Sequence, residues 1–591
     1  MRYLRMLTNS IVGGALGAAY VTVLVLQLNP QVPLLAPGVW RWFVTLLAFY
    51  GVHLSVLFYA LIVLRELLGA TSLSPGWLSV RILAWLSALT AAAAALLMWV
   101  NLRGFEIELE ADAARRLQLG AAATTMAAVI LVAIVIVRYS FGRRGSQVSA
   151  ALLAITAAGS LLLPMAARGL GSPRPLGSRQ LSVVSDTGQA PPEGPRVTLI
   201  LLDGASLDYL WARVSEGRFP NFGRILDAGA VVDVATLRPT QAEPVWAAVA
   251  TGKYPPKNGV RSAARYRVEP GGAQIDLLPD SCYAFGLLQF GLVQSVAQTS
   301  AEWRARPLWD ILGNYGLRAG VVRWPVTFPV QPARPVRGFL VTDRFHTVAD
   351  SPIPSEVDQA ITPPDIVPAA RQAYADASGR AARGIVPPGA PGAALGEETP
   401  GESAERLDRM YGRVADEARR IIDVRLLALR YQGLDTVGHS YLRYAEPRRF
   451  GDVSEPERRQ YGQVLDRYYA FIDGELERAI AALGPDDLLL VVSGFGMQPV
   501  SPGKRLMARV LGEADLSGTH EEAPDGFLLA YGANVVKGRP PRGSLADVAP
   551  TILYYLGLPV GRDMDGFART DLLSRRFTSG RPIAFIPSHD R

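Results

Sequence analysis

Residues 424–440 read VRLLALRYQGLDTVGHS, and the fold turns on how this stretch is taken. An apolar run breaks at Gln432-Gly433, and an acid and an imidazole follow four positions apart, Asp435 and His439. A buried parallel strand has such a run, and its sheet delivers polar side chains beyond the carboxyl ends of the strands. Ionised Asp and neutral His are ligands for zinc or manganese. With five histidines in the chain, His439 has few rivals. Alone, D-x-x-x-H is a common pattern, and a histidine closing a loop would look the same, so the surroundings decide.

Working outward, further apolar runs alternate with helical patterns. They are RVTLILL at 196–202, ending in Asp203-Gly204, LRAGVV at 317–322, LLLVV at 488–492 and FLLAY at 527–531. Strands separated by amphipathic helices predict an α/β unit, a mostly parallel β-sheet sandwiched by helices. The run SLADVAPTILYYLGLP from 544 predicts a helix with Leu545, Val548, Ile552 and Tyr555 on one side. The Ala/Gly/Pro-rich stretch 375–403 reads as a flexible insertion. The polar tail 576–591, with His589, reads as having no role.

The 49% hydrophobic content of the 591 residues is concentrated before residue 170. Five segments there are long and uncharged enough to span a bilayer: 8–28, 40–64, 79–101, 119–138 and 148–167. Arg2, Arg5, Arg65, Arg81, Arg138, Arg143 and Arg144 fall at one set of ends; Glu106, Glu108, Glu110 and Asp112 fall at the other, where Arg103, Arg115 and Arg116 reduce the contrast. The positive-inside rule then predicts a cytoplasmic N-terminus and, after five spans, an exported remainder. His53, the one ionisable group well inside a span, reads as bonded to a neighbouring helix. The domain map is therefore a transmembrane domain over 1–168, a Pro/Gly/Ser linker over 169–195, an exported domain over 196–575 and the tail. The net charge of +7 is scattered rather than gathered with aromatics, which excludes a nucleic-acid surface. A single cysteine, Cys282, excludes intrachain disulfides and cysteine metal sites.

Asp203, Asp435, His439 and His520 (in LSGTHEEAPDGF) all follow strand-like runs or sit in adjacent loops. A doubly wound sheet would gather two acids and two imidazoles there, although Asp203 would equally serve as a helix cap and His520 as a turn residue. With these motifs, LILLDG at 199–204, RPTQAEPVWAAVATGKYPPKNGV at 238–260, GLDTVGH at 433–439, VSGFGM at 492–497, GTH at 518–520 and DVAPTILYYLGLPVGRDMDG at 547–566, the sequence resembles the alkaline phosphatase superfamily. The resemblance is to its type I phosphodiesterase/nucleotide pyrophosphatase branch and covers about 195–575. It implies an alkaline-phosphatase-like fold and two divalent metals roughly 4 Å apart, usually zinc, one of which activates a Thr or Ser nucleophile. Asp435, His439 and His520 match the ligands of one metal, and Asp203 a ligand of the other.

The chain departs from the pattern on one side only. Gly494 and Phe495 stand where the family has Asp-His, Ala242 (or Glu243, one place on) where it has the nucleophile, and Asn258 where it often has His. Hydrolysis through a phospho-enzyme cannot run without these groups. The expectation is a membrane-anchored, exported phosphodiesterase-like domain, catalytically impaired, with one divalent metal (zinc, with manganese possible). It would bind the bilayer and a phosphate-containing envelope lipid, glycan or partner protein. The alternative is an active one-metal hydrolase or headgroup transferase, for which Thr240 and Glu243 are the catalytic candidates. Trp246 and Trp324 would line the cleft or pack in the core, and Arg344 and His346 would face an anion or the surface.

Overall fold

The computed structural model describes residues 1–69, 75–141, 146–171, 194–331, 336–379, 399–510, 516–521 and 524–590. The predicted linker at 169–195 falls mostly outside the described residues, as do 380–398 of the predicted insertion at 375–403, Arg143 and Arg144. The two ends of that insertion are not irregular but belong to the helices Val367–Gly379 and Pro400–Ile421, the second capped by Thr399. The chain folds as two compact units, Met1–Leu176 with Arg261–Gln298, and Gly177–Val260 with Thr299–Arg591.

In the first unit, five helices among the described residues are long and apolar enough to cross a membrane: Arg2–Leu28, Val39–Leu68, Val80–Gly104, Ala111–Val137 and Ala150–Arg168. The shortest, with 19 residues, measures about 28 Å at 1.5 Å per residue, close to the hydrocarbon thickness. A π-turn at Leu47–Gly51 widens the second helix. His53 donates from Nδ1 to the Phe49 carbonyl at 2.6 Å, so it bonds its own helix, not the neighbour the sequence reading chose.

Residues 261–298 also belong to this unit, although the sequence reading placed them in the exported domain. They form a hairpin, Ala264–Arg267 antiparallel to Gln294–Ala297. Asn29 and Asn101, at the ends of two helices, satisfy its backbone. Asn29 donates to the Leu277 carbonyl at 2.7 Å and accepts from the Asp276 and Leu277 amides; Asn101 accepts from the Asp280 amide at 2.7 Å.

The second unit is built on a nine-stranded sheet. In chain order its strands are β1 (Val197–Leu202), β2 (Ala230–Ala235), β3 (Ala319–Trp324), β4 (Gly338–Thr342), β5 (Ile361–Thr362), β6 (Leu426–Tyr431), β7 (Leu488–Phe495), β8 (Asp525–Tyr531) and β9 (Gly543–Ser544). Their spatial order is β9-β2-β8-β7-β1-β6-β3-β4-β5. All neighbours are parallel except β8 against β7 and β2, and β5 against β4. The mostly parallel, helix-covered sheet agrees with the sequence expectation. Its central strands are buried on both faces, which is why they read as continuous apolar runs. Leu202 is level with Tyr431 of β6 and Ser493 of β7, so Asp203, Gln432 and Gly494 emerge together at one sheet edge.

The tail does more than its composition indicates. Phe585–Ile586 pairs with Val560–Gly561, His589 is buried, and Asp590 binds the buried Lys253 at 2.6 Å.

Candidate metal centre

Asp435 and His439 lie on the helix Gly433–Ala445 that leaves β6. Four positions apart, they share one face of it, which explains the spacing better than a loop does. Gly204, after β1, has φ +72°, and a Cβ there would lie 2.8 Å from the Cα of Asp435; only glycine lets β1 end against this helix. His520 arrives from the other side, after a ribbon in which Gly518–Thr519 pairs with Gln498–Pro499. A Cβ on Gly518 would meet the Gly438 carbonyl at 2.4 Å, so a second glycine brings the His520 loop onto the helix.

The three side chains offer donor atoms that all lie within 4.8 Å of one another. Among the described residues they alone form such a group. His439 donates from Nδ1 to the Gly518 carbonyl at 2.8 Å, and His520 from Nδ1 to the Thr240 carbonyl at 3.1 Å. These bonds fix both tautomers with the Nε2 lone pair turned inward, as ligating histidines are commonly held. The two Nε2 atoms face one oxygen of Asp435, at 3.6 and 3.7 Å. That oxygen is sealed from solvent and has no hydrogen-bond partner. Burial pushes the Asp435 carboxyl above its usual range, against the pull of the two histidines. Two imidazole lone pairs and an orphaned carboxylate oxygen fit a divalent cation, without choosing between zinc and manganese.

Asp203 stands apart from the trio. Arg430, on β6, places Nε 3.1 Å from both of its oxygens and adds a second bond from its terminal nitrogen. Trp246 donates from Nε1 to the same carboxylate at 2.7 Å. Asp203, Arg430 and Trp246 are all buried. Burial alone would lower the Arg430 pKa, and Asp203 holds it up. Two further acids share this guanidinium: burial raises the pKa of Glu243 and of Asp343, and Arg430 opposes the rise in each.

The other departures have a steric account. A Cβ on Gly494 would lie 2.3 Å from Val245 Cγ1 and 3.5 Å from the Trp246 ring. Phe495 packs on His520 with ring centroids 4.8 Å apart. Ala242 begins the helix Ala242–Thr251, and the Thr240 hydroxyl is turned to the Leu237 carbonyl at 2.8 Å, so its contribution to the centre is its own carbonyl. Trp324 packs edge-on to Trp246 as core. Hydrocarbon, indole and guanidinium therefore fill the half of the site where the ligand motif is missing.

Beyond His439, one turn further along the same helix, comes Arg443. It surrounds Asp452 together with Arg505 and Arg509 of the helix Pro502–Val510, at 3.7, 3.4 and 2.8 Å. Lys504 pairs with Glu521, the neighbour of His520. This cluster and Arg430 escaped the sequence reading. An arginine inside an otherwise apolar strand is the signal that was there for Arg430, since Arg is seldom buried unpaired. His346 bonds the Tyr411 hydroxyl at 3.0 Å and joins no metal-ligand group among the described residues.

The family model for type I phosphodiesterase / nucleotide pyrophosphatase matches residues 197–552, and the chain belongs to that family. Within the alkaline phosphatase superfamily it is a membrane-anchored member whose metal site is degenerate on one side. Two solved structures are similar over their full length. Murine ectonucleotide pyrophosphatase / phosphodiesterase 5 has 15% identity, covers 64% of this chain and gives a TM-score of 0.37. A variant of the alkaline phosphatase PafA has 15% identity, covers 65% and gives 0.42. No curated protein matches the sequence.

Proposed function

We propose that this is a multi-pass protein of the plasma membrane, with its N-terminus in the cytoplasm, whose exported unit uses one zinc ion to hold a phosphate-bearing headgroup of an envelope lipid or glycan. Asp435, His439 and His520 hold the cation, and Asp203 serves as the counter-charge of Arg430 rather than as a fourth ligand. When bound, the cation supplies a Lewis-acidic contact for a phosphoryl oxygen. The observation that carries the reading is the Asp203–Arg430–Trp246 cluster, because it satisfies the carboxylate a second metal would need. Phosphoryl transfer through an enzyme alkoxide lacks its hydroxyl at Ala242. Binding is supported by a local excess of cations: Arg443, one turn beyond His439, with Arg505, Arg509 and Lys504 exceeds the acids Asp452, Glu457 and Glu521 that face them, and favours an anion. The arginines at one set of helix ends and the acids at the other support the orientation.

Glu243 favours a second reading, a one-metal hydrolase. Burial raises its pKa beside Arg430 and Asp203, the direction that a proton donor to a leaving group needs.

Elemental analysis of the full-length protein in detergent tests both readings, beside the His439→Ala variant and with calorimetric titration of inorganic phosphate. The binding reading expects one zinc per chain, lost in the variant together with phosphate binding, and no turnover of a chromogenic phosphodiester. Turnover abolished by Glu243→Gln would establish the hydrolase instead. Two metals per chain would overturn the role given to Arg430, and zinc that survives His439→Ala would overturn the trio.

A further inference from the structure

Residues 261–298 carry an apolar surface that the metal centre does not use. No Asp, Glu, Lys or Arg stands between Asp280 and Glu302, the longest charge-free run outside the five spans. The run starts where Asn101 fixes Asp280 at the end of the span Val80–Gly104. From there it descends along the second span: Cys282 Sγ lies 3.7 Å from the Tyr50 hydroxyl, and the Tyr283 and Phe290 rings lie 6.4 and 5.8 Å from that of Phe49.

Depth follows from helix geometry. Trp40 and Arg41 mark the interfacial end of that span, as an aromatic and a charge should. Phe49 is nine residues further, so about 13 Å deeper at 1.5 Å per residue. Half the hydrocarbon thickness is about 15 Å. One side of the descending segment, Ala284, Leu287 and Val293, is buried in a cluster with Val21, Val25 and Phe49 of the spans. The other side exposes Tyr283 (40%), Phe285 (46%), Phe290 (57%) and Leu292 (37%). These continue the apolar surface that Phe43, Val44, Val52 and Val56 expose on the second span. From Gly286 to Val293 the backbone amides are paired, among them Gly286 to Tyr283, Phe290 to Gly286, Gly291 to Leu288 and Leu292 to Leu287, with the hairpin strand beyond. Backbone at this depth must be satisfied within the protein.

We propose that residues 281–293 form a wedge inserted in the hydrocarbon of one leaflet, with lipid acyl chains against Tyr283, Phe285, Phe290 and Leu292. Charge-free composition, depth, paired backbone and continuity with the lipid-facing side of a span all point to this occupant. The wedge is independent of what the metal centre binds.

Spin labels test it on the full-length protein in phosphatidylcholine liposomes. In a Cys282→Ser background, labels are placed by Phe285→Cys, Phe290→Cys and Leu292→Cys, with Val56→Cys as the lipid-facing reference and Phe585→Cys as the aqueous one. The wedge expects labels at 285, 290 and 292 to collide more with oxygen than with a water-soluble nickel chelate, as at 56, and the order to reverse at 585. Nickel accessibility at these positions equal to that at 585 overturns it. Protection from both reagents also overturns it, in favour of a second copy of the chain covering the face. All three positions replace exposed side chains, so any one that disturbs folding leaves two to decide.

Discussion

Gly494 decides what the second half of the centre can hold. An aspartate there would drive its Cβ to 2.3 Å from Val245 Cγ1, deep in a well-packed region. Restoring the family residue alone should destabilise the protein by about 1–3 kcal/mol, the usual range for overpacking. The triple change Ala242→Thr, Gly494→Asp, Phe495→His should bind no second metal while Arg430 and Trp246 occupy Asp203, and elemental analysis reads that outcome directly. A second residue-scale prediction concerns His346. Burial, with Arg323 and Arg406 nearby, lowers its pKa from 6.5 to about 4. Between those values the unfolded chain binds a proton that the folded chain does not, so this contribution is complete above pH 6.5 and is lost as pH falls toward 4. Melting temperatures recorded from pH 7.5 to 4.5 should fall less steeply for His346→Gln than for the parent. Equal slopes would show that the imidazole protonates freely in the fold. The trio itself was legible because Asp435 and His439 are near in sequence and His520 carries a recognisable motif. The fate of Asp203 was not, since its partner is 227 positions away and only the sheet register brings them together.

At the scale of elements, β1 and β6 are joined by a buried ion pair as well as by their ladder. Taking Arg430 to Met would leave the Asp203 carboxylate buried with only the Trp246 donor, and breaking one side of such a pair costs about 3–5 kcal/mol. The double variant Arg430→Met, Asp203→Asn should recover most of that loss, because a neutral amide needs no counter-charge. Arg430→Lys should recover little, since an ammonium cannot reproduce the two-pronged contact. Thermal unfolding of the parent, Arg430→Met, Asp203→Asn and the double variant gives the cycle, and additivity between the two sites would mean that the pair does not stabilise the edge. The sheet was readable here because strands buried on both faces leave uninterrupted apolar runs. The strands β2 and β4 were not picked out: AVVDV carries an acid, and GFLVT follows a proline-rich approach. The sequence left a helix after β6 undecided against a loop because Gly433 and Gly438 mask its periodicity, although both are where close packing needs them.

For the whole molecule the consequential feature is the order in which the chain visits its two units, entering the second at Gly177, returning to the first at Arg261 and re-entering the second at Thr299. Composition separates spans from sheet strands, which differ in length and periodicity. It gave no clear warning of the return, because Gly286, Gln289, Gly291 and Gln294 interrupt the charge-free run after Asp280 and keep it from reading as a sixth span, and it undervalued the tail, whose Asp590 completes the pairing of buried Lys253 with Asp563. A fragment spanning 190–575 should therefore behave badly for two separate reasons. It strips the apolar hairpin of the helices that cover Ala264, Tyr266, Ile275 and Leu287, and it removes one carboxylate from Lys253. The ends of the hairpin offer a remedy: Ala264 is paired with Ala297, and the Gln298 amide reaches the Ala263 carbonyl at 3.4 Å, so a short glycine-serine linker can replace residues 264–297. The fragment 194–590 carrying that linker should be monomeric without detergent and should retain the zinc of the intact protein, since Asp435, His439 and His520 all lie in the second unit. The 190–575 fragment with the hairpin left in should elute as aggregate or detergent complex. Size-exclusion chromatography with elemental analysis separates the cases, and a well-behaved 190–575 fragment would mean that the hairpin folds with the sheet and not with the membrane helices.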